Sequence, residues 1–315
     1  MDCLCAGVVV ADFICDPIAR MPVPGELIMT GRIALSLGGC ASNVALDLAK
    51  LGRQASVVGR IGDDAPGVFV KHTLETAGVE TSHLRQMEDA PTSSSLIVNV
   101  RNEDRRFIHA FGANALIDGT ELNTDLIRSA RILYVGGFFL MPQLTSDRLV
   151  PLFQLARELG VTTVLDVAIP DPAVCGNQLA QVLPWTDVFL PNTDEARLLT
   201  DLDDPIEQAQ VFRELGAGTV VVTCGGDGAI LLSATQRMRS RIFPVEFVDG
   251  TGSGDAFDAG YIHGLLSGHP AERCLEIGSA LGASCVRSSG ATTGVFSHQE
   301  LDEFLMTERL EIEAI

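Results

Sequence analysis

The sequence predicts an α/β protein built on a doubly wound, mostly parallel sheet flanked by helices, with a small β layer beside it. Three observations carry this. Several short apolar runs lack alternation, among them Cys3 to Ala11, Ala55 to Ile61, Ile132 to Val135 and Val161 to Val167. Such runs suit strands buried on both faces of a parallel sheet. Segments of helical period separate them, so strand and helix alternate along the chain. Finally, glycines and polar residues follow predicted strands: Asp12, Gly38-Gly39, Gly136-Gly137, Asn192 and Thr223 to Gly226. In doubly wound sheets that level holds the ligand.

Taken in order, Cys3 to Ala11 reads as one continuous core strand. Pro17, Pro22, Pro24 and Gly25 break the chain behind it, and Glu26 to Leu37 reads as exposed strand or loop. Ala41 to Leu51 is a helix with Val44, Leu48 and Leu51 on one face. Ala55 to Ile61 is the second buried strand. Asp64-Ala65-Pro66 is a capped helix start, and that helix runs to about Ala77 before Gly78. Ser93 to Arg101 and Arg105 to Ala110 alternate as a hairpin around Asn102-Glu103-Asp104. These strands are too polar for the centre of the sheet and suit a separate small layer. After Ile132 to Val135 come a helix over Thr145 to Leu159 and strands Val161 to Val167 and Val188 to Pro191. Helices over Glu195 to Thr200 and Pro205 to Leu215, a strand Gly218 to Thr223 and a hairpin across Ala229 to Ile242 follow. Helices Ala256 to Leu266, Ala271 to Val286 and His298 to Met306 close the chain. No internal repeat divides it, and residues 1–315 read as one domain.

A net charge of −19 argues against nucleic acid or an anionic membrane surface as partner. An anionic substrate must then be met by local donors. The eight cysteines form no C-x-x-C pair and share no ligand spacing with the six histidines, so zinc is not expected. Scattered small thiols suit a reducing compartment, and a cytoplasmic location is the expectation. The first apolar run ends at Asp12, unlike a signal peptide, and no stretch of eighteen apolar residues occurs.

The most informative stretch is Phe247 to Tyr261, FVDGTGSGDAFDAGY. It reads as a strand end, a glycine-rich turn and a helix that opens behind Asp255. Free amide N–H groups and the positive end of the helix dipole suit an anion over the turn. A carboxylate there would be repelled by a phosphate unless it serves as a base, taking a proton from a hydroxyl that attacks the phosphate. That points to phosphoryl transfer to an alcohol. The alternative is a tight strand-to-helix turn capped by Asp255. Neither G-x-G-x-x-G at the first strand nor G-x-x-x-x-G-K-[ST] anywhere is present, so another loop holds any nucleotide. Asp12 reads either as a fixed acceptor for polyol hydroxyls or as a loop cap. Gly38-Gly39 precedes a helix whose first turn carries Asn43.

Gly38 to Gly62, GGCASNVALDLAKLGRQASVVGRIG, resembles the first signature of the PfkB, or ribokinase-type, carbohydrate kinases. Asp249 to Ile262 resembles the second signature, with Gly250 where the family usually has Thr, Ser, Pro or Val. The two motifs stand in the family's order, and the resemblance extends from Asp12 to the final helices. It implies a ribokinase-like fold, ATP and magnesium, and transfer to a hydroxymethyl group of a small sugar or sugar derivative. It further implies that Asp255 is the base and that the amides of Gly252, Ser253 and Gly254 form the anion hole. Asp12, Gly39 and Asn43 would hold sugar hydroxyls. Asn192 and Glu195 match the N-x-x-E element tied to magnesium and phosphate placement, and Thr223, Gly225 and Gly228 the nucleotide loop. Segments of about 13–36 and 92–111 would form a lid over the sugar, and its strands a homodimer interface.

Asp249 would be the ligand for an activating potassium ion, beside a Gly250 that lacks the usual side chain. Val167-Ala168-Ile169-Pro170 replaces the Asp-x-Asn-x-Arg pattern of fructokinase-like and ketodeoxygluconate-kinase-like members, and Gly136-Gly137 carries no carboxylate. The competing readings are a nucleoside kinase of the same fold and a sugar-binding protein without turnover. Cys40 and Cys224 fall near the expected sugar and nucleotide sites and read as buried, inert thiols. His109 and Arg105-Arg106 read as part of a solvated strand pair.

Overall fold

The computed structural model describes the whole chain apart from Asn102, Asp104, Arg105 and Asp171 and the side chains of Ala173 and Val174. The expected hairpin turn and Arg105 therefore fall largely outside the described residues. The chain runs β1 (Cys3–Gly7), β2 (Val10–Ile18), β3 (Ile33–Gly38), α1 (Cys40–Lys50), β4 (Ala55–Gly62), α2 (Ala65–Thr76) and β5 (Leu84–Met87). Next come β6 (Ser94–Val100), β7 (Arg106–Ala110), α3 (Thr124–Arg128), β8 (Ile132–Gly136), α4 (Ser146–Glu158) and β9 (Thr162–Leu165). α5 (Pro172–Val182), β10 (Val188–Phe189), α6 (Thr193–Thr200), α7 (Pro205–Glu214) and β11 (Thr219–Thr223) follow. The chain ends with β12 (Ala229–Ser233), β13 (Arg237–Ser240), α8 (Ser253–Leu266), α9 (Ala271–Cys285), α10 (His298–Thr307) and β14 (Ile312–Ala314).

The main sheet has ten strands in the order β14-β13-β12-β11-β10-β9-β8-β1-β4-β5. From β11 to β5 neighbouring strands are parallel, and β12 to β14 add an antiparallel edge. The chain first builds outward from β1 to β4 and β5, then reverses to β8, so the topological switch lies between β1 and β8. A crevice is expected at the carboxyl ends there. Two apolar layers cover the sheet. One packs α1, α2, α8, α9 and α10 on one face; the other packs α3, α4, α5 and α7 on the opposite face.

The run from Cys3 to Ala11 is not one strand. β1 stays in the main sheet, while β2 belongs to a second, four-stranded sheet of order β3-β2-β6-β7. The crossing at Val8-Val9 is possible because Asn114 satisfies its backbone: Val9 N donates to Asn114 Oδ1 at 3.2 Å, and Asn114 Nδ2 donates to Val9 O at 3.0 Å. An apolar run cannot announce that a distant amide will take over its hydrogen bonds. Asp12 consequently sits inside β2, not in a loop behind the first strand. Glu26 to Leu37 is loop and then strand, regular from Ile33, where β3 pairs with β2. Two further corrections apply. α8 opens at Ser253, three residues before the expected Ala256, with Gly252 as its N-cap. The segment after Val167, left without a helix in the sequence reading, contains α5. The capped start of α2 is as expected, with Asp64 Oδ1 accepting from Gly67 N at 2.9 Å.

Candidate active site

The elements that meet at the switch point bring a set of acids together. The carboxyl ends of β9, β10 and β11 and the first turns of α1, α6 and α8 enclose a cleft of about 150 Å³. Of the residues singled out from sequence, Asn192, Glu195, Thr223, Gly252, Gly254 and Asp255 line it. Cys40, Asp166 and Asp258 join them.

Asp255 is the third residue of α8. Among the described residues the amides of Gly252, Gly254 and Asp255 donate to no protein acceptor, so the helix start offers three N–H groups beside the carboxylate. Ser253 departs from the expected hole: its amide turns back to Gly250 O at 3.3 Å, and its Oγ donates to the same oxygen at 3.0 Å. Gly252 holds φ at 77°, and a Cβ on it would lie 2.4 Å from Ala291 O. Only glycine fits there. Asp249 lies behind the turn. Its Oδ1 accepts from Thr251 N at 3.0 Å and Thr251 Oγ1 at 2.8 Å, and its Oδ2 from Gly290 N at 3.3 Å.

Asn43, from α1, donates through Nδ2 to Asp255 Oδ2 at 2.7 Å. Asp12 reaches the same region from the four-stranded sheet. It forms a row with Ser36, Ser95 and His109 across that sheet, set by strand register, and its carboxylate is hydrogen-bonded by Ser95. Gly38 makes room for it, since a Cβ at that position would come within 2.0 Å of Asp12 Oδ2. Gly39, with φ 91°, is the N-cap of α1.

Asn192 and Glu195 form a capping box on α6. Asn192 Oδ1 accepts from Asp194 N at 3.0 Å and Glu195 N at 2.9 Å, and Glu195 Oε2 accepts from Asn192 N at 2.9 Å. The N-x-x-E string thus also has a structural function, fixing the helix start that aims Glu195 into the cleft. Thr223 bridges to Asn192 at the end of β11. Gly225 and Gly228, both at positive φ, shape the turn beyond Thr223 without lining the cleft.

Asp166 and Asp258 were not identified from the sequence. Asp166 follows β9 and accepts from Gly137 N at 3.0 Å; Asp258 is one turn along α8 from Asp255 and accepts from Tyr134 Oη at 3.1 Å. A single acid inside the otherwise uncharged run Val161 to Val167 was the available signal for Asp166. For Asp258 none existed beyond its helical spacing from Asp255. The Cys40 Sγ and one oxygen each of Asp166 and Asp255 lie within 4.8 Å of one another.

No Lys or Arg lines the cleft among the described residues. Burial pushes Asp166 up to about 7, and the Asp255 charge adds to the rise. Burial and, secondarily, Asp255 bring Asp12 up to about 6 against the opposing Ser95 hydrogen bond. Glu195 and Asp258 lie well above the ordinary carboxylate range, first from burial and then from Asp166; burial also raises Asp255. Burial likewise pushes the Cys40 thiol far up and Cys224 to about 11, so both are protonated, weakly nucleophilic thiols. Asp12 and Asp166 hold protons in the folded chain that the unfolded chain releases. Their stabilisation is full below the ordinary value of 3.8 and is lost as pH rises through about 6 and 7. The ligand-free protein is expected to melt at a lower temperature at pH 8 than at pH 6. Differential scanning fluorimetry checks this, and a flat or opposite trend contradicts the assigned shifts.

Residues 2–297 match the family model described as pfkB family carbohydrate kinase. The chain belongs to that family. A ribokinase from Haemophilus influenzae is 28% identical over 293 residues, covering 90% of this chain and 91% of that protein. A nucleoside kinase from Methanothermobacter thermautotrophicus is 27% identical over 300 residues, covering 93% and 92% of the two chains. The structure of an Arabidopsis thaliana ribokinase complexed with ribose and ATP superposes with a TM-score of 0.85 at 24% identity, over 98% of this chain and 99% of that one. The fold is ribokinase-like, and the protein is a kinase, a phosphotransferase with an alcohol group as acceptor. Among the described residues no helix is long and apolar enough to cross a membrane.

Proposed function

We propose that this kinase uses ATP to phosphorylate a hydroxymethyl group of a small sugar or sugar derivative, with Asp255 as general base. The observation that carries this reading is the position of Asp255: beside unused amides at a helix start, oriented by Asn43, and within electrostatic range of Asp12. The Asp255 carboxylate takes the proton of the acceptor hydroxyl as that oxygen attacks the terminal phosphorus. The amides of Gly252 and Gly254 steady the charge on the transferring group. Asp12, Gly39 and Asn43 hold the sugar, with the four-stranded sheet as the lid that keeps water out. Thr223, Gly225 and Gly228 take the nucleotide.

The acids of the cleft fit a hard divalent cation. Asp166, Glu195 and Asp258 offer oxygen donors to one cleft, with no basic side chain lining it among the described residues. Magnesium there would neutralise phosphate charge. MgCl2 is expected to raise the melting temperature more at pH 8, where the acids ionise, than at pH 6; equal shifts would argue against this set. Asp249 is the candidate ligand for potassium, and turnover in KCl against NaCl tests it.

Asp12 can be probed without changing its charge. Gly38→Ala forces the Asp12 carboxylate aside, and losing a charge-assisted hydrogen bond costs about 1.5–3 kcal/mol, about tenfold or more in affinity. KM for the acceptor is expected to rise by that factor while KM for ATP stays within about twofold. Parallel rises in both would remove Asp12 from the sugar site.

Ultracentrifugation tests the homodimer. The outer strand β7 is exposed along its length, and Ile108, Leu27 and Met29 present 64%, 87% and 83% of their surface. Apolar exposure of this kind marks an interaction face. Ile108→Asp is expected to shift the sedimenting species toward the 33.5 kDa monomer.

The substrate is identified by coupled ADP release over a panel of sugars and nucleosides. A nucleoside as sole acceptor would replace the sugar-kinase reading with that of a nucleoside kinase. Sugar-induced thermal stabilisation without ADP release would mark a binding protein.

A further inference from the structure

A second cavity, of about 400 Å³, lies beside the turn that follows β11. It is larger than the acidic cleft, shares no lining residue with it, and falls within the range of small-molecule sites. Its walls carry three arginines, Arg197 from α6 and Arg239 and Arg241 from the β13 region, with Asp203, Asp227 and Cys224.

The arginines are not equivalent. Arg197 is already paired, at 2.8 Å with Asp203 and 3.5 Å with Asp194. Arg239 and Arg241 have no side-chain hydrogen bond or ion pair among the described residues. They stand two apart in the extended run Arg237-Met238-Arg239-Ser240-Arg241, so both project from one face. The chain has 22 basic against 41 acidic residues, yet both guanidinium groups line one cavity in which Asp227, the acid not paired with Arg197, forms no ion pair with either among the described residues. An anion that both can grip would balance them, and planar guanidinium groups bind phosphate oxygens in pairs. The neighbouring turn is within reach of this charge: the Cys224 thiol feels Asp227 and, in the opposite sense, Arg239.

We propose that this cavity binds a phosphate-bearing small anion through Arg239 and Arg241, at a site separate from the acidic cleft. The ligand would face Cys224 and Asp227, on the side of the post-β11 turn away from the acidic cleft that Thr223 lines. Both free phosphate and a phosphate ester present the chemistry this site recognises.

The test is calorimetric titration of the full chain with inorganic phosphate, pyrophosphate and a hexose 6-phosphate at fixed ionic strength. Each is run with and without a saturating non-hydrolysable ATP analogue. Binding needs no turnover, so the result stands apart from the proposed reaction. At least one compound is expected to bind with Kd below about 1 mM, to bind still when the analogue is present, and to weaken at least tenfold in the Arg239→Gln/Arg241→Gln double variant. Binding confined to the hexose phosphate identifies an ester as the ligand; binding of the inorganic anions identifies the free ion. Competition by the analogue would place the anion in the nucleotide cleft and overturn the proposal. Undiminished binding by the double variant, or no binding by any compound, would overturn it equally.

Discussion

Asp255→Asn is expected to lower kcat by roughly 10²–10⁴-fold, the range set by removing a positioned general base. The substitution keeps the shape of the side chain, and the asparagine carbonyl can still accept the hydrogen bond that Asn43 Nδ2 makes to Asp255 Oδ2 at 2.7 Å. Binding and folding should therefore survive. The loss belongs to the proton: an amide cannot take one from the attacking hydroxyl. Single-turnover kinetics beside calorimetric sugar binding separate the two effects. A variant that binds normally and turns over within about threefold of the parent would remove Asp255 from the mechanism. So would a loss confined to KM, which would mean the carboxylate only positions the acceptor.

Gly252→Ala should be nearly as damaging for a different reason. The residue sits at φ 77°, and the added methyl would meet Ala291 O at 2.4 Å. Left-handed backbone costs a non-glycine residue roughly 1–2 kcal/mol, and the clash forces the turn away from the 285–291 segment. Displacing an oriented donor at developing charge costs about 3–4 kcal/mol of barrier, 10²–10³-fold in kcat. Rate and melting temperature should fall together. Gly254→Ala provides the contrast, since a Cβ there meets nothing within 4 Å. Its melting temperature should stay within about 1 °C of the parent. If Gly252→Ala instead kept full activity, the helix start would not be the anion hole.

The largest gap between sequence and structure concerns acids. The glycine turn announced Asp255 because glycines, helix start and carboxylate are contiguous, and local geometry follows from local sequence. Asp166 and Glu195 come from elements far apart in the chain, and the sheet order brings them to one crevice. Asp258 is buried by the packing of α8 against β8, where Tyr134 receives it. Their raised proton affinities arise from that convergence, since burial and mutual repulsion exist only once the chain is folded. Asn192 and Glu195 illustrate a subtler case. Their spacing was legible as a family element, yet the same spacing is also a capping box, and the structure shows that box on a pair of side chains that also lines the cleft.

Sequence alone determined the strand and helix alternation, the start of α2 at Asp64, the glycine turn before Asp255 and the polar character of β6 and β7. Each is a property of contiguous residues, whose periodicity and capping chemistry act over a few ångströms. Tertiary structure decided where β1 ends and β2 leaves for another sheet, because Asn114 supplies the backbone partners at the crossing. It also decided that Ser253 turns its amide inward, that Asn43 reaches Asp255, and that several acids share one cleft with no Lys or Arg lining it among the described residues. Those are facts of distance between remote segments, and a one-dimensional pattern carries no information on which remote groups will satisfy or oppose one another.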